Sequence, residues 1–165
     1  MNASLSPQIA PQIRRMAASD LPRILEMTQS LKNVPRWPPA AWLAALNPAA
    51  SPRRIALVAE VVAENPPAGP IQGFAVAALL PPQAELETIA VLAEARRQHV
   101  GSRLIAVMAE ELSQAGIREL FLEVRISNHA AQAFYQALGF SQTGRRTRYY
   151  IDPVEDAVLM ERRLL

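Results

Sequence analysis

A run of basic and small residues, Arg96 to Ser102, holds the first candidate for chemistry in this chain. It follows the apolar segment Ile89-Ala90-Val91 and opens a stretch in which apolar residues recur at helical spacing. A strand, a loop and a helix N-terminus in that order can hold phosphate, because the N–H groups of the first helical turn point at the anion. The run lacks the glycine and lysine signatures of nucleoside-triphosphate and dinucleotide loops. It predicts either a pyrophosphate site that needs no metal or a surface loop with solvated Arg side chains.

A single carboxylate, Glu123, lies in the otherwise apolar segment Leu120 to Val124. An ionised carboxylate in such a segment costs free energy unless it is paired or used. Strand alternation places Glu123 and Arg125 on one face, so one interpretation is an ion pair between them. The other interpretation is a general base that takes a proton from an attacking amine.

Tyr135 follows Phe134 in a segment that ends at Leu138-Gly139. Phe134 and Leu138 belong to an apolar helical stripe, and a tyrosine beside such a stripe is often part of the core. Its hydroxyl can also donate a proton to a leaving thiolate. Both interpretations of Tyr135 stay open at this point.

The remaining polar residues predict no metal and no nucleic-acid site. His99 and His129 stand apart from carboxylates at metal-ligand spacing. A small group of basic and aromatic residues near the C-terminus resembles a nucleic-acid patch, but we expect it to be a solvated strand face. This group comprises Arg145, Arg146, Arg148, Tyr149 and Tyr150.

The elements that must position these residues follow from hydrophobic periodicity and from turn residues. The pattern predicts helices over 21–31, 40–46, 101–114 and 130–138, and strands over 13–16, 54–63, 71–80, 85–91, 120–126, 142–150 and 157–164. Strands that meander first and alternate with helices later predict a mixed sheet with helices on both faces. We therefore expect a single α/β domain over residues 13–165, preceded by an N-terminal tail over residues 1–12.

Composition narrows the class of protein. The chain has 165 residues, 17 basic and 15 acidic side chains, a net charge of +2 and no cysteine. Thiolate chemistry and Cys-ligated metals are excluded, and the charge is too small for a nucleic-acid footprint. No apolar run approaches the roughly 18 residues of a membrane span, and the first dozen residues lack the pattern of a secretion signal. We expect a cytoplasmic protein without a membrane segment.

Together these segments resemble the GNAT superfamily of N-acetyltransferases, and within it the bacterial ribosomal-protein-alanine N-acetyltransferases. The resemblance covers about Ile13 to Met160. The segments that carry it are Leu86-Glu87-Thr88-Ile89-Ala90-Val91, Arg96 to Gly101, Leu122 to Asn128, Ala133 to Phe140, Arg145 to Tyr150 and Glu155-Asp156-Ala157.

The resemblance implies a mixed, mostly antiparallel central sheet of six to seven strands, in which a bulged fourth strand is splayed from the fifth and acetyl-CoA is wedged into the gap. Strand backbone would bind the pantetheine arm, and helix amides would bind the pyrophosphate. The implied cofactor-binding residues are Ile89, Ala90, Val91, Arg96, Arg97, Gln98, His99, Val100, Gly101, Ser102 and Asn128.

The resemblance also implies direct transfer in a ternary complex, with no covalent enzyme intermediate and no metal. Glu123 would be the general base, and Tyr135 would be the general acid that protonates the CoA thiolate. The implied acceptor is the N-terminal α-amine of an alanine on a small-subunit ribosomal protein. We also consider Glu155 and Asp156 as acidic side chains near the acceptor.

Two departures from the family pattern affect these expectations. His99 stands where the phosphate-binding loop usually has its first glycine, and Trp37 precedes Pro38 and Pro39 instead of a small hydroxyl residue. The first departure brings a Cβ and an imidazole close to where phosphate would bind. Two alternatives therefore remain: an acetyltransferase for a small-molecule amine or a Lys side chain, and a non-catalytic acetyl-CoA-binding module.

Overall fold

Seven strands form one sheet in the order β1-β2-β3-β4-β5-β7-β6. The structure is a computed structural model that describes residues 10–62 and 69–165. The strands are β1 Gln12–Arg15, β2 Arg54–Glu60, β3 Ile71–Leu80, β4 Gln83–Val91, β5 Glu119–Arg125, β6 Ser141–Ile151 and β7 Val154–Arg163. The helices in the described part of the chain are α1 Leu21–Ser30, α2 Pro39–Leu46, α3 Val100–Gln114 and α4 His129–Ala137.

The sheet is mixed, because one pair of neighbouring strands differs from the rest. β4 and β5 run parallel, with α3 as the crossover between them. Every other neighbouring pair in the described sheet is antiparallel. This confirms the predicted α/β class and the mostly antiparallel sheet.

Helices cover both faces of the sheet, as predicted. On one face, α3 packs against the buried residues of β2 to β5 and β7, and Leu120, Leu122 and Val124 of β5 point into this core. On the other face, α1 and α2 pack on β2, β3 and β4. Trp42 of α2 is fully buried there, and its ring meets Phe74 of β3 edge-on at 5.6 Å. On this second face, α1 and α2 do not cover β5, β6 or β7.

Most predicted elements lie within a few residues of the observed ones. α2 begins at Pro39, because proline lacks the N–H that a first helical turn leaves unbonded anyway. β1 begins at Gln12, which the sequence placed at the end of the tail, and residues 1–9 lie outside the described residues. β2 ends at Glu60, short of the predicted Ala63, which also lies outside them.

The described part of the chain includes no helix with the length and apolar character needed to cross a membrane.

The two outer strands differ from the inner ones. β1 has only four residues. β6 has eleven residues, most of them exposed, and its pairing with β7 shifts register twice, between Gln142 and Gly144 and between Arg146 and Tyr150. Both edges of the sheet are therefore short or irregular.

A buried ion network ties β1 to β2 and to the start of α1. Arg14 donates through Nη1 and Nη2 to Asp20 at 2.8 and 2.9 Å, and through Nε and Nη2 to Glu60 at 3.0 and 2.9 Å. The carboxylate side chains are only 9% and 10% exposed. Hydrogen bonds from Arg14 hold the pKa of both carboxyl groups below their usual values.

We expect Arg14→Gln to lower the free energy of unfolding by about 3 kcal/mol at pH 7, because it leaves two buried carboxylates without their cation. A depressed carboxyl pKa stabilises the native state above the unfolded pKa, and that stability is lost as the pH falls through the folded pKa. The difference from wild type should therefore shrink from pH 7 towards pH 4. Urea unfolding at both pH values measures it.

The matched control is Arg23→Gln, which removes an exposed pair with Glu26 on α1. We expect a change below about 0.5 kcal/mol there, because exposed pairs contribute little. Equal losses in the two variants, or a loss at Arg14 that does not depend on pH, would show that the network is not the source of the stability.

Candidate active site

A gap opens in the middle of the sheet where β4 and β5 part. The two strands pair at only three positions, Gln83, Ala84 and Glu85 of β4 with Glu119, Leu120 and Phe121 of β5. Beyond Glu85, β4 continues to Val91 and β5 continues to Arg125 without pairing with each other. Each strand therefore presents an unpaired backbone edge to the gap, which an extended group can bind as an added strand would.

An extra residue in β4, Glu87, lies next to the point of separation. Ala77 of β3 pairs with Leu86, whereas Val76 pairs with Thr88, so Glu87 has no opposite residue. A β-bulge of this kind bends its strand and increases the local twist. The bulge is held from β2, because Arg54 donates to Glu87 through Nε at 2.6 Å and through Nη2 at 2.9 Å.

A turn rich in unbonded amides lies at the far end of β4. The backbone is left-handed at Arg97 and at His99, with φ of 62° and 61°, and α3 begins at Val100 without a side-chain cap. In the described structure, the backbone N–H groups of residues 97–102 have no hydrogen-bond acceptor. These N–H groups and the positive end of the helix dipole form a cradle for an anion.

Gly101 lies where this turn meets α4. A Cβ at this position would lie 3.1 Å from Cζ of Phe134 and 3.7 Å from Cγ2 of Val91. The first of these distances is tighter than an ordinary van der Waals contact, so a larger residue would push α4 away from the turn. Gly101 thus keeps the end of β4, the turn and α4 together.

The structure brings the predicted cofactor-binding residues to one end of the gap. Ile89 to Val91 form the unpaired edge of β4, and Arg96 to Ser102 form the turn with the cradle. Asn128 is the N-cap of α4, and its Oδ1 accepts a hydrogen bond from the Ala131 amide at 3.1 Å. A cofactor contact by Asn128 would therefore use its side-chain nitrogen.

Glu123 faces the uncovered side of β5, and its side chain is 11% exposed. Arg146 of β6 binds its Oε1 through Nε at 2.9 Å. The Glu123 carboxylate beside the Tyr149 hydroxyl, together with burial, raises the pKa of Tyr149 to about 12. The cation beside Glu123 therefore comes from a neighbouring hairpin.

Arg125 does not serve as the partner of Glu123. Its Nη1 binds Glu155 at 3.1 Å and the Pro153 carbonyl at 3.2 Å, and its guanidinium lies 4.2 Å from the centre of the Tyr150 ring. Arg125 thus fastens the turn between β6 and β7 to the end of β5.

Tyr135 lies in α4 with its side chain buried between Phe134 and Phe140, at ring distances of 5.2 and 5.5 Å. Burial raises the pKa of its hydroxyl to about 12, because the phenolate would lose its hydration. The group therefore keeps its proton at neutral pH. Tyr135 is part of the core, and its protonation state also suits a proton donor.

Glu155 and Asp156, considered above as acceptor contacts, have other partners. Glu155 accepts from the Ser127 amide at 2.8 Å as well as from Arg125. Asp156 accepts from the Arg148 amide at 2.8 Å and from Arg145 Nε at 2.7 Å. These hydrogen bonds lower the pKa of both carboxyl groups. Both residues hold the β6–β7 hairpin in shape, and their place near an acceptor stays a prediction.

Sequence reasoning missed three residues that share the face of Glu123. The sequence pattern assigns Arg146 and Tyr149 to a solvated strand face, and it assigns Glu85 to a strand without a role in the site. The alternation Glu85-Leu86-Glu87 does place Glu85 on one face of β4, but the sheet order that brings β4 beside β5 is not readable from spacing. The pKa of the Glu85 carboxyl is raised, mainly because the group is buried and to a smaller extent because Glu123 and Glu87 carry negative charges nearby.

Within residues 10–62 and 69–165, no three His, Asp or Glu side chains form a group that could hold a metal ion.

Comparison with known proteins identifies the family. The model of the acetyltransferase (GNAT) family matches residues 22–140, well over half of the chain. The [ribosomal protein bS18]-alanine N-acetyltransferase of Escherichia coli (strain K12) is 39% identical over 94 residues, which cover 56% of this chain and 64% of that relative. The match thus spans slightly less than two thirds of the relative's length.

Solved structures agree over a longer span. The crystal structure of the ribosomal-protein-S18-alanine N-acetyltransferase from Escherichia coli superposes with a TM-score of 0.77 and 29% identity, covering 93% of both chains. Ard1 from Thermoplasma volcanium gives a TM-score of 0.79 and 26% identity, covering 95% of this chain and 99% of that one. With its parted strands and its amide-lined turn, this chain belongs to the GNAT acetyltransferase family.

Proposed function

We propose that the protein is an N-acetyltransferase that moves an acetyl group from acetyl-CoA to the α-amine of a protein N-terminus. The acceptor we infer is an alanine at the start of a small-subunit ribosomal protein, because the relatives named for that reaction match this chain. The observation that carries the proposal is the gap between β4 and β5, which ends at unbonded helix amides.

The residues lining the gap fit acetyl-CoA. The unpaired edge at Ile89 to Val91 offers backbone hydrogen bonds to an extended amide-containing arm. The amides of residues 97–102 suit a pyrophosphate, and Arg96 and Arg97 add positive charge. When bound, acetyl-CoA supplies a thioester whose acyl carbon accepts the amine nitrogen as the carbon–sulfur bond breaks.

Two residues of this chain move protons in the proposed reaction. Glu123 accepts the proton that the acceptor amine loses, and it lies on the face of β5 that α1 and α2 leave uncovered. Arg146 fixes the orientation of its carboxylate through their ion pair. Tyr135, with its raised pKa, keeps a proton to give to the departing sulfur.

The acceptor class is tested with one peptide that carries both a free N-terminal alanine and an internal lysine. After incubation with the protein and acetyl-CoA, fragmentation by mass spectrometry locates the added acetyl group. We expect it on the α-amine. Acetylation of lysine alone would favour a side-chain acceptor, and tight acetyl-CoA binding without transfer to any amine would favour a binding module.

The proton-transfer roles are tested with Glu123→Gln and Tyr135→Phe. We expect each to lower kcat by about a hundredfold, with little change in acetyl-CoA affinity, because positioned acid–base groups typically contribute at least that much. The control is Glu119→Gln, a carboxylate on the same strand that accepts from Gln83 instead. Wild-type rates in either test variant would remove that residue from the mechanism.

The pH dependence gives an independent check on Tyr135. Its pKa of about 12 keeps the hydroxyl protonated through pH 10. The kcat of the wild type should therefore not decline below pH 10 through loss of the Tyr135 proton. In this range its pH profile should have the same shape as that of Tyr135→Phe. A decline that disappears in the variant would mean that Tyr135 loses its proton in this range.

The left-handed turn predicts the effect of His99→Gly. A residue with a Cβ pays about 1 kcal/mol for this conformation, so glycine should raise the free energy of unfolding by up to that amount. Without the Cβ and imidazole, phosphate can approach the amides more closely, and acetyl-CoA should bind about threefold more tightly or better. Urea unfolding and a binding titration measure the two effects.

Asn33→Gly is the matched control, because Asn33 also has a φ of 62° but lies between α1 and α2. It should change stability without changing acetyl-CoA affinity. Weaker binding in His99→Gly would instead show that the imidazole itself contacts the cofactor.

A further inference from the structure

Glu85 occupies the last position at which β4 and β5 pair. It lies opposite Phe121, two residues before Glu123 on the neighbouring strand. Its side chain points to the face of the sheet that carries Glu123, because the residue between Glu85 and the bulge, Leu86, belongs to the core under α3. Glu85 and Glu123 are therefore diagonal neighbours at the mouth of the gap.

The charges around Glu85 are not balanced. Two neighbouring carboxylates on this face have their own arginine: Glu87 has Arg54, and Glu123 has Arg146. In the part of the chain that the structure describes, Glu85 forms no ion pair. Burial and the neighbouring carboxylates raise the pKa of Glu85, although Arg146 and Arg54 oppose the effect. A further positive charge would lower the energy of this group.

Two features beside Glu85 point to a bound molecule. A cavity of about 260 Å³ opens along the uncovered strands, with Gln83, Phe121, Arg146, Leu159 and Glu161 among its lining residues. Thr88, just past the bulge, is 7% exposed, and its hydroxyl has no partner among the described residues. The cavity leaves room for residues that follow an amine, and the Thr88 hydroxyl, which lies farther along β4 towards the cofactor end of the gap, is a separate polar group without a partner among the described residues.

We propose that Glu85 binds the protonated amine of the acceptor and delivers it to Glu123. This inference rests on the proposed function and names Glu85 as a positioning residue for its acceptor amine. Glu85 forms no bond and takes no proton. One N–H proton passes from the ammonium nitrogen to Glu123, and the nitrogen lone pair that remains is the nucleophile.

The experiment uses Glu85→Gln and two ligands: a peptide with an N-terminal alanine, and the same peptide with its terminal amine replaced by hydroxyl. For the first peptide we expect KM to rise about tenfold or more with kcat changed less than about threefold, because one charge-assisted contact is lost. For the hydroxyl peptide, used as a competitive inhibitor, we expect an unchanged inhibition constant. A merely structural role would weaken both ligands alike.

Folding and specificity are controlled separately. Glu85→Gln removes a repulsion, so its Tm should be no lower than that of the wild type, and Glu119→Gln should behave as wild type with both ligands. An unchanged KM in Glu85→Gln, or equal losses for the two ligands, would overturn the role of Glu85 while leaving the proposed function intact. Absence of peptide acetylation by the wild type would overturn the proposed function and this inference with it.

Discussion

The extra residue at Glu87 is the constraint on which the site depends. A strand with one more residue than its neighbour bends, and β4 bends just where its pairing with β5 ends after three positions. Backbone groups that a continuous sheet would have used remain available on both sides of the gap. Arg54 holds the bulge with two hydrogen bonds, so the opening is part of the folded framework.

The reacting side of the gap is built from electrostatic pairs that cross between elements. Arg146 comes from β6 to Glu123 on β5, and Arg125 leaves β5 to fasten the turn that follows β6. The hairpin of β6 and β7 thus contributes an arginine to β5, and β5 contributes an arginine to the hairpin. These two contacts fix the hairpin beside the uncovered face of β5, and Glu85 at the mouth of the gap forms no ion pair with the described residues.

The sequence was informative where a pattern is local. Periodicity located α3, proline at position 39 located the start of α2, and an apolar strand interrupted by one carboxylate identified Glu123 as unusual. It could not show that Arg146 and Tyr149 reach that carboxylate, because their placement depends on β7 lying between β5 and β6.

Two further features depend on the backbone. The alternation of residues 85–91 does not distinguish the bulge from a regular strand, so only the resemblance to the family predicts it. His99 departs from glycine in the family pattern, yet it still adopts the left-handed conformation that glycine takes at no steric cost. The backbone N–H groups therefore keep their cradle, and the change from glycine adds only the Cβ and imidazole beside it.

The irregular outer strands affect how the protein associates with other protein chains. Regular, exposed edge strands attract strands from other chains and promote aggregation, and short or charged edges discourage it. Here β1 is too short to act as a template, and β6 presents three arginines and two register shifts. Inside the sheet, β4 beyond Glu85 and β5 beyond Phe121 keep unpaired edges that face the gap. Strand-like binding is thus directed to the gap, whereas the rim of the sheet discourages self-association.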